Sequence, residues 1–148
     1  MARRSLLSAL NGAEAFVSDT APLVYRLERT PPRSILDEVD ALFDTVETGA
    51  LACIVPAVCA AELLVRPYGL GPPAVSVADA LLRSSGVAVA PPGLGTAHAA
   101  ARHVARRTIP RLADALVAAT AAELQLPLVT GNRRLARASG ALLVHDFG

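Results

Sequence analysis

The sequence predicts an α/β fold in three layers, a central parallel sheet with helices on both faces. Three observations carry that expectation. Short apolar runs, AFVS (15–18), LACIV (51–55), VAVA (87–90), PLVT (127–130) and ALLV (141–144), alternate with segments of helical character. LACIV is continuously apolar, as a strand buried on both faces must be. No hairpin signal joins one run to the next, so the connections are right-handed crossovers through helices. With 148 residues, 53% of them hydrophobic, the chain has the size and the apolar content of one domain.

Residues 1–14 read as a dispensable arm or a short helix, and residues 15–148 as the folded domain. AFVS closes on Ser18-Asp19-Thr20 and leads into the helix APLVYRLER, stopped by Pro31-Pro32. Ser34 is the expected N-cap of ILDEVDALFDTVETG. There Leu36, Val39, Leu42, Phe43 and Val46 fall at helical spacing and Gly49 ends the helix. After LACIV, Pro56 opens the helix AVCAAELLVR, which Pro67 is expected to end. VSVADALLRS is a further helix, VAVA the third strand, PPGLG a turn and AHAAARHVARR an Ala-rich helix. TIPRLADALVAATAAELQLPLVTGN (108–132) supplies a helix and the fourth strand. A short helix over 133–138 and the strand ALLV finish the chain. In folds of this class ligands bind at the carboxyl ends of strands, near the point where strand order reverses. Asp19 and Thr130-Gly131-Asn132 both stand at such ends.

Charge narrows the chemistry. All 14 basic residues are arginine, which excludes a phosphate-loop lysine or a Schiff base. The net charge of +1 gives no bulk attraction to nucleic acid, so any such binding rests on a local arginine patch. Cys53 and Cys59 lie in apolar runs with no metal-ligand spacing, as buried thiols of a reducing cytoplasm do. The opening MARRSLLSALNGAEAF is too short to span a membrane. The protein is therefore read as cytoplasmic, with no membrane partner.

Three carboxylates stand in apolar surroundings. Asp19 follows a buried strand, where it is either a helix cap or a functional acid. Glu62 has apolar neighbours along its helix and Arg66 at i+4 as its structural partner. Asp114 opens a helix that is apolar nearly all round, with Arg111 as an i,i+3 partner. Burying an isolated carboxylate costs several kcal/mol or forces it to take a proton. Gathered at one strand-end cleft, three acids call for a hard, oxygen-seeking cation, Mg²⁺ or Mn²⁺.

VSDTAPLVYRL around the first acid, PAVCAAELL around the second and RLADALVAATAAELQLPLVTGNRRL around the third together resemble the PIN-domain ribonucleases. Within that family they resemble the VapC-type toxins of bacterial toxin–antitoxin pairs. The resemblance spans residues 15–146, so the PIN domain is expected over 15–148. It implies that Asp19, Glu62 and Asp114 hold the metal. Asn132 completes the catalytic set where many members carry a further Asp, and Thr20 and Thr130 play supporting roles. Gly131 departs from the Arg or Asn more usual there.

The implied activity is Mg²⁺- or Mn²⁺-dependent endoribonucleolytic cleavage leaving 5′ phosphate and 3′ hydroxyl. The implied partners are RNA, a cognate small antitoxin and a second copy of the chain. Candidate RNA-binding arginines are Arg102, Arg106, Arg107, Arg133 and Arg134. His98 and His103 are alternative bases, unnecessary if a metal activates water, and His145 and Asp146 read as surface residues. An aspartyl-phosphate phosphatase is disfavoured, because Ala21 stands where that chemistry needs a second Asp and the chain has no Lys. The remaining alternative is a catalytically weakened PIN-like domain that serves as a partner-binding module.

Overall fold

A computed structural model describes residues 4–148. The first three residues of the expected arm lie outside the described residues. Five strands, β1 (Ala15–Ser18), β2 (Ala52–Pro56), β3 (Val87–Ala90), β4 (Leu128–Thr130) and β5 (Leu142–Leu143), form one sheet in the order β3-β2-β1-β4-β5. Every pairing is parallel, with Phe16 opposite Cys53, Val17 opposite Leu128 and Val129 opposite Leu142. The chain steps outward from β1 to β2 and β3, then returns past β1 to lay down β4 and β5. Strand order therefore reverses between β1 and β4, and the crevice beyond their carboxyl ends is where α/β folds place ligands.

The helices between strands are α2 (Thr20–Glu28), α3 (Arg33–Glu47), α4 (Ala57–Leu70), α5 (Pro72–Leu82), α6 (Leu94–Ala105), α7 (Leu112–Leu124) and α8 (Arg133–Ser139); α1 (Leu6–Ala9) precedes the sheet. On α3, Ile35, Val39, Leu42, Phe43 and Val46 are buried, the stripe that helical spacing presents to a sheet. Phe43 meets Phe16 of β1 edge to face, ring centroids 6.3 Å apart. The core runs continuously from this helix through Cys53, Val55 and Val129 to Ala115, Val117 and Ala119 of α7. Among the described residues no helix is long and apolar enough to cross a membrane.

Several local expectations are corrected. Of the two alternatives for the opening segment, the short helix is found, as α1, and it packs into the core: Leu6 is wholly buried and Leu10 nearly so. The Leu6 N–H also donates to Glu38 Oε2 at 2.9 Å. Ser34 is not the cap of α3; that helix starts two residues earlier than such a cap implies, after Pro32, whose ψ of 153° sets the entry, and no side chain caps it. Nor does Pro67 end α4. It sits in the last turn, its carbonyl accepting from Gly71 N–H at 3.0 Å, and Gly71, at φ 117°, makes the stop. Leu94 and Gly95, read as turn, begin α6. Val144 leaves the last strand for a single 3₁₀ turn, Val144–Asp146. At the sheet edge, Ala88 and Val89 of β3 are exposed, because an edge strand lacks a neighbour on one side.

Candidate functional site

Asp19 is the first residue after β1 and is only 7% exposed. Its backbone N–H extends the β1–β4 pairing to Val129 O at 2.9 Å, so the strand register itself fixes where the carboxylate begins. Oδ1 accepts from Thr20 N–H at 2.8 Å and caps α2. It also faces the Cys59 thiol, with Sγ at 3.7 Å. Oδ2 accepts from Thr130 Oγ1 at 2.7 Å. The cap and the functional acid, alternatives in the sequence, are thus the same residue.

Thr130 is fully buried at the end of β4. While donating to Asp19, its hydroxyl accepts from Asn132 N–H at 2.9 Å. Asn132 then caps α8, Oδ1 accepting from the N–H groups of Arg134 and Leu135 at 3.0 and 3.3 Å. Its Nδ2 donates to Asp114 Oδ2 at 3.4 Å. A chain of contacts therefore runs Asp19–Thr130–Asn132–Asp114 across the reversal point, joining β1, β4 and α7.

Gly131 explains its own departure from the more usual residue. A Cβ there would lie 2.7 Å from Ala21 Cβ and 3.0 Å from Tyr25 Oη, so the turn packs directly on α2 and only glycine fits.

Asp114 lies in the first turn of α7, half-buried above Ala115, Val117 and Ala118. Burial pushes its carboxyl up, and the Asp19 charge pushes the same way; Arg111 opposes them only in part. Glu62 reaches the cleft from α4 and accepts from Thr20 Oγ1 at 3.2 Å. The burial expected for it from sequence is not found. Glu62 is exposed: α4 buries Cys59, Ala60 and Leu63 and leaves Glu62 on the solvent side with Val65, which is 72% exposed. Arg66, its expected partner, instead pairs with Glu28 at 3.0 Å.

Asp19, Glu62 and Asp114 line one cleft of about 310 Å³, with Thr20, Ala21, Val24, Tyr25, Arg111 and Asn132. None of the three acids pairs with a cation among the described residues. The oxygen-only donor set fits a hard divalent ion. Among the described residues, however, no three His, Cys, Asp or Glu side chains stand in a metal-holding arrangement; the acids converge on the cleft without closing on a point. An apolar groove between α2, α4 and α5, lined by Val24, Leu27, Leu63, Leu70 and Val77, opens beside Glu62.

Arg102, Arg106, Arg107, Arg133 and Arg134 are exposed, and the cleft lining includes none of them. His103 is held locally, Nδ1 2.9 Å from Thr108 Oγ1, and His98 is exposed on α6. Sequence reasoning missed Tyr25; His145 and Asp146 are exposed, as expected, and His145 meets the cleft only through Tyr25. The phenol lies in the cleft wall with Oη 2.9 Å from His145 Nε2, the rings edge to face at 5.7 Å. Ala21 and Tyr25 at i,i+4 share a face of α2, a signal for Tyr25. His145 gives no comparable signal, being 120 positions away.

The sequence profile described as PIN domain matches residues 16–141, from within β1 to the residue before β5. The chain belongs to the PIN-domain family. Solved structures agree on the fold. This PIN domain superposes on VapBC2 from Rickettsia felis, bound to a DNA fragment from their promoter, with a TM-score of 0.67 at 16% identity, covering 87% of this chain and 96% of that one. FitAcB from Neisseria gonorrhoeae gives 0.62 at 21% identity, covering 86% and 95%. FitAB bound to an IR36 DNA fragment gives 0.59 at 18%, covering 86% and 92%. No curated protein is recognisably similar in sequence.

Proposed function

We propose that this PIN domain is a divalent-metal-dependent endoribonuclease of the VapC toxin kind, acting in the cytoplasm and neutralised by a cognate small antitoxin. The observation that carries the reading is the convergence of Asp19, Glu62 and Asp114 on one strand-end cleft, with no cation paired to any of them among the described residues. Membership of a family whose domains are generally nucleases supports it.

In this reading Asp19, Glu62 and Asp114 hold Mg²⁺ or Mn²⁺, which when bound supplies water activation and charge stabilisation at the phosphodiester. Thr130 and Thr20 aim Asp19 and Glu62 through their hydroxyls. Asn132 aims Asp114 through its amide N–H. Its oxygen is committed to capping α8, so it serves as a positioning residue and not as a fourth ligand. Products carry 5′ phosphate and 3′ hydroxyl. The VapBC likeness supports an antitoxin, and the apolar groove opening beside Glu62 offers such a segment a route to the acids. The proposal includes a homodimer on the family resemblance.

RNA cleavage by the purified protein with Mg²⁺ or Mn²⁺ is the test. Activity is expected to vanish in excess EDTA and in Asp19→Asn and Asp114→Asn; full activity in any of these conditions contradicts the assignment. One observation favours a second reading, a partner-binding module without cleavage: the acids do not yet form a metal-holding group. A folded protein with no carboxylate-dependent Mn²⁺ binding and no cleavage would establish that reading.

A further inference from the structure

Arg111 immediately precedes α7 and lines the cleft together with the three acids. It is exposed and forms no ion pair with any described residue, whereas Arg26, Arg29, Arg33, Arg66 and Arg83 each do. An i,i+3 counter-ion of Asp114 would stand within ion-pair distance of it. Arg111 does not; its charge only moderates the rise in the Asp114 carboxyl. The cleft therefore carries three carboxylates and one uncommitted guanidinium.

A polynucleotide approaching three carboxylates is repelled, and a cation at the mouth supplies the opposing attraction. The guanidinium fork matches two phosphate oxygens at once and keeps its charge at every working pH. The arginines expected from sequence to bind RNA are not part of the cleft lining, which leaves Arg111 as the guanidinium beside the acids.

We propose that Arg111 is a substrate-binding residue that grips a backbone phosphate of single-stranded RNA next to the acid cleft. The proposal rests on the nuclease reading given above. Its test is fluorescence anisotropy of a labelled single-stranded oligoribonucleotide in EDTA, over a salt series, with wild type, Arg111→Gln and Arg111→Lys.

Arg111→Gln is expected to weaken binding about tenfold, the size of one charge-assisted hydrogen bond. It should also reduce the magnitude of the slope of log K against log salt by about 0.7. Arg111→Lys recovers part of the affinity, because charge returns without the fork. Mn²⁺ affinity in Arg111→Gln is expected to be unchanged or tighter, since the charge removed is positive.

Unaltered RNA affinity or salt slope in Arg111→Gln overturns the proposal, as does a wild type that fails to bind the oligonucleotide. Joint loss of RNA and Mn²⁺ binding would also overturn it, by assigning Arg111 to the shape of the cleft. The two readings fail separately. Arg111-dependent binding without cleavage by wild type leaves Arg111 standing and removes the nuclease, whereas cleavage with an unchanged KM in Arg111→Gln does the reverse.

Discussion

Two groups of carboxylates on this molecule meet opposite fates. On the outer face of α2 and α3, Asp40, Asp44 and Glu47 gather around Arg26, and Asp40 also takes Arg29. Hydrogen bonds from Arg29, and then from Arg26, hold the Asp40 carboxyl down at about 2 despite its partial burial. At the strand ends, Asp19, Glu62 and Asp114 share a cleft without an ion pair among the described residues, and burial beside Asp19 pushes the Asp114 carboxyl up. Neutralised acids are structure. Acids left short of cations, and braced by neutral donors instead, make up the site proposed to take a cation from outside.

Asp19→Asn puts the largest expected effect on this contrast. Partners of ligands typically contribute 10–100-fold to metal affinity or activity, so removing a ligand charge should lower cleavage by more than about a hundredfold. A kinetic assay on RNA with Mg²⁺ checks it. The equivalent change on the outer face, Asp40→Asn, should leave cleavage unaltered.

Thr130→Val comes next. It keeps the shape of the side chain but strips Asp19 Oδ2 and Asn132 N–H of a shared partner. A buried polar group left unpartnered costs roughly 1–3 kcal/mol, to be read from urea unfolding, with about a tenfold to hundredfold loss of Mn²⁺ affinity. Gly131→Ala should cost a similar or smaller amount, about 1–3 kcal/mol, by overpacking against Ala21. Unchanged stability there would mean that the turn is free to move off α2.

The smallest effect is the pH dependence of the outer cluster. The Asp40 carboxyl is depressed in the folded state, so its stabilisation is complete above its unfolded value of about 4. It is lost as pH falls toward 2. Asp40→Asn should therefore lower stability at neutral pH by no more than about 1 kcal/mol, as partly exposed pairs do. The wild-type advantage should disappear in acid, as urea midpoints across pH would report.

Much of this was readable from the chain because the deciding constraints are local. Apolar runs gave the strands, and strand ends gave Asp19, Thr130 and Asn132. Parallel pairing then leaves the reversal point between β1 and β4 as their meeting place. Other features were not readable. Glu62 lines the cleft from an exposed position rather than the buried one its apolar neighbours suggest, since Val65 faces solvent. Pro67 is tolerated in a final turn, where helix periodicity does not register it. Tyr25 with His145, and Arg111 without an ion-pair partner among the described residues, depend on tertiary placement, and a sequence shows only which ion pairs are available, not which are made.

Calorimetric titration of the wild-type protein with Mn²⁺ at neutral pH, beside Asp114→Asn, tests the central claim most directly. A carboxylate-dependent site that raises the melting temperature of the wild type, and is lost or much weakened in Asp114→Asn, is the predicted result. Absence of binding in the wild type, or equal binding in the variant, would contradict the account.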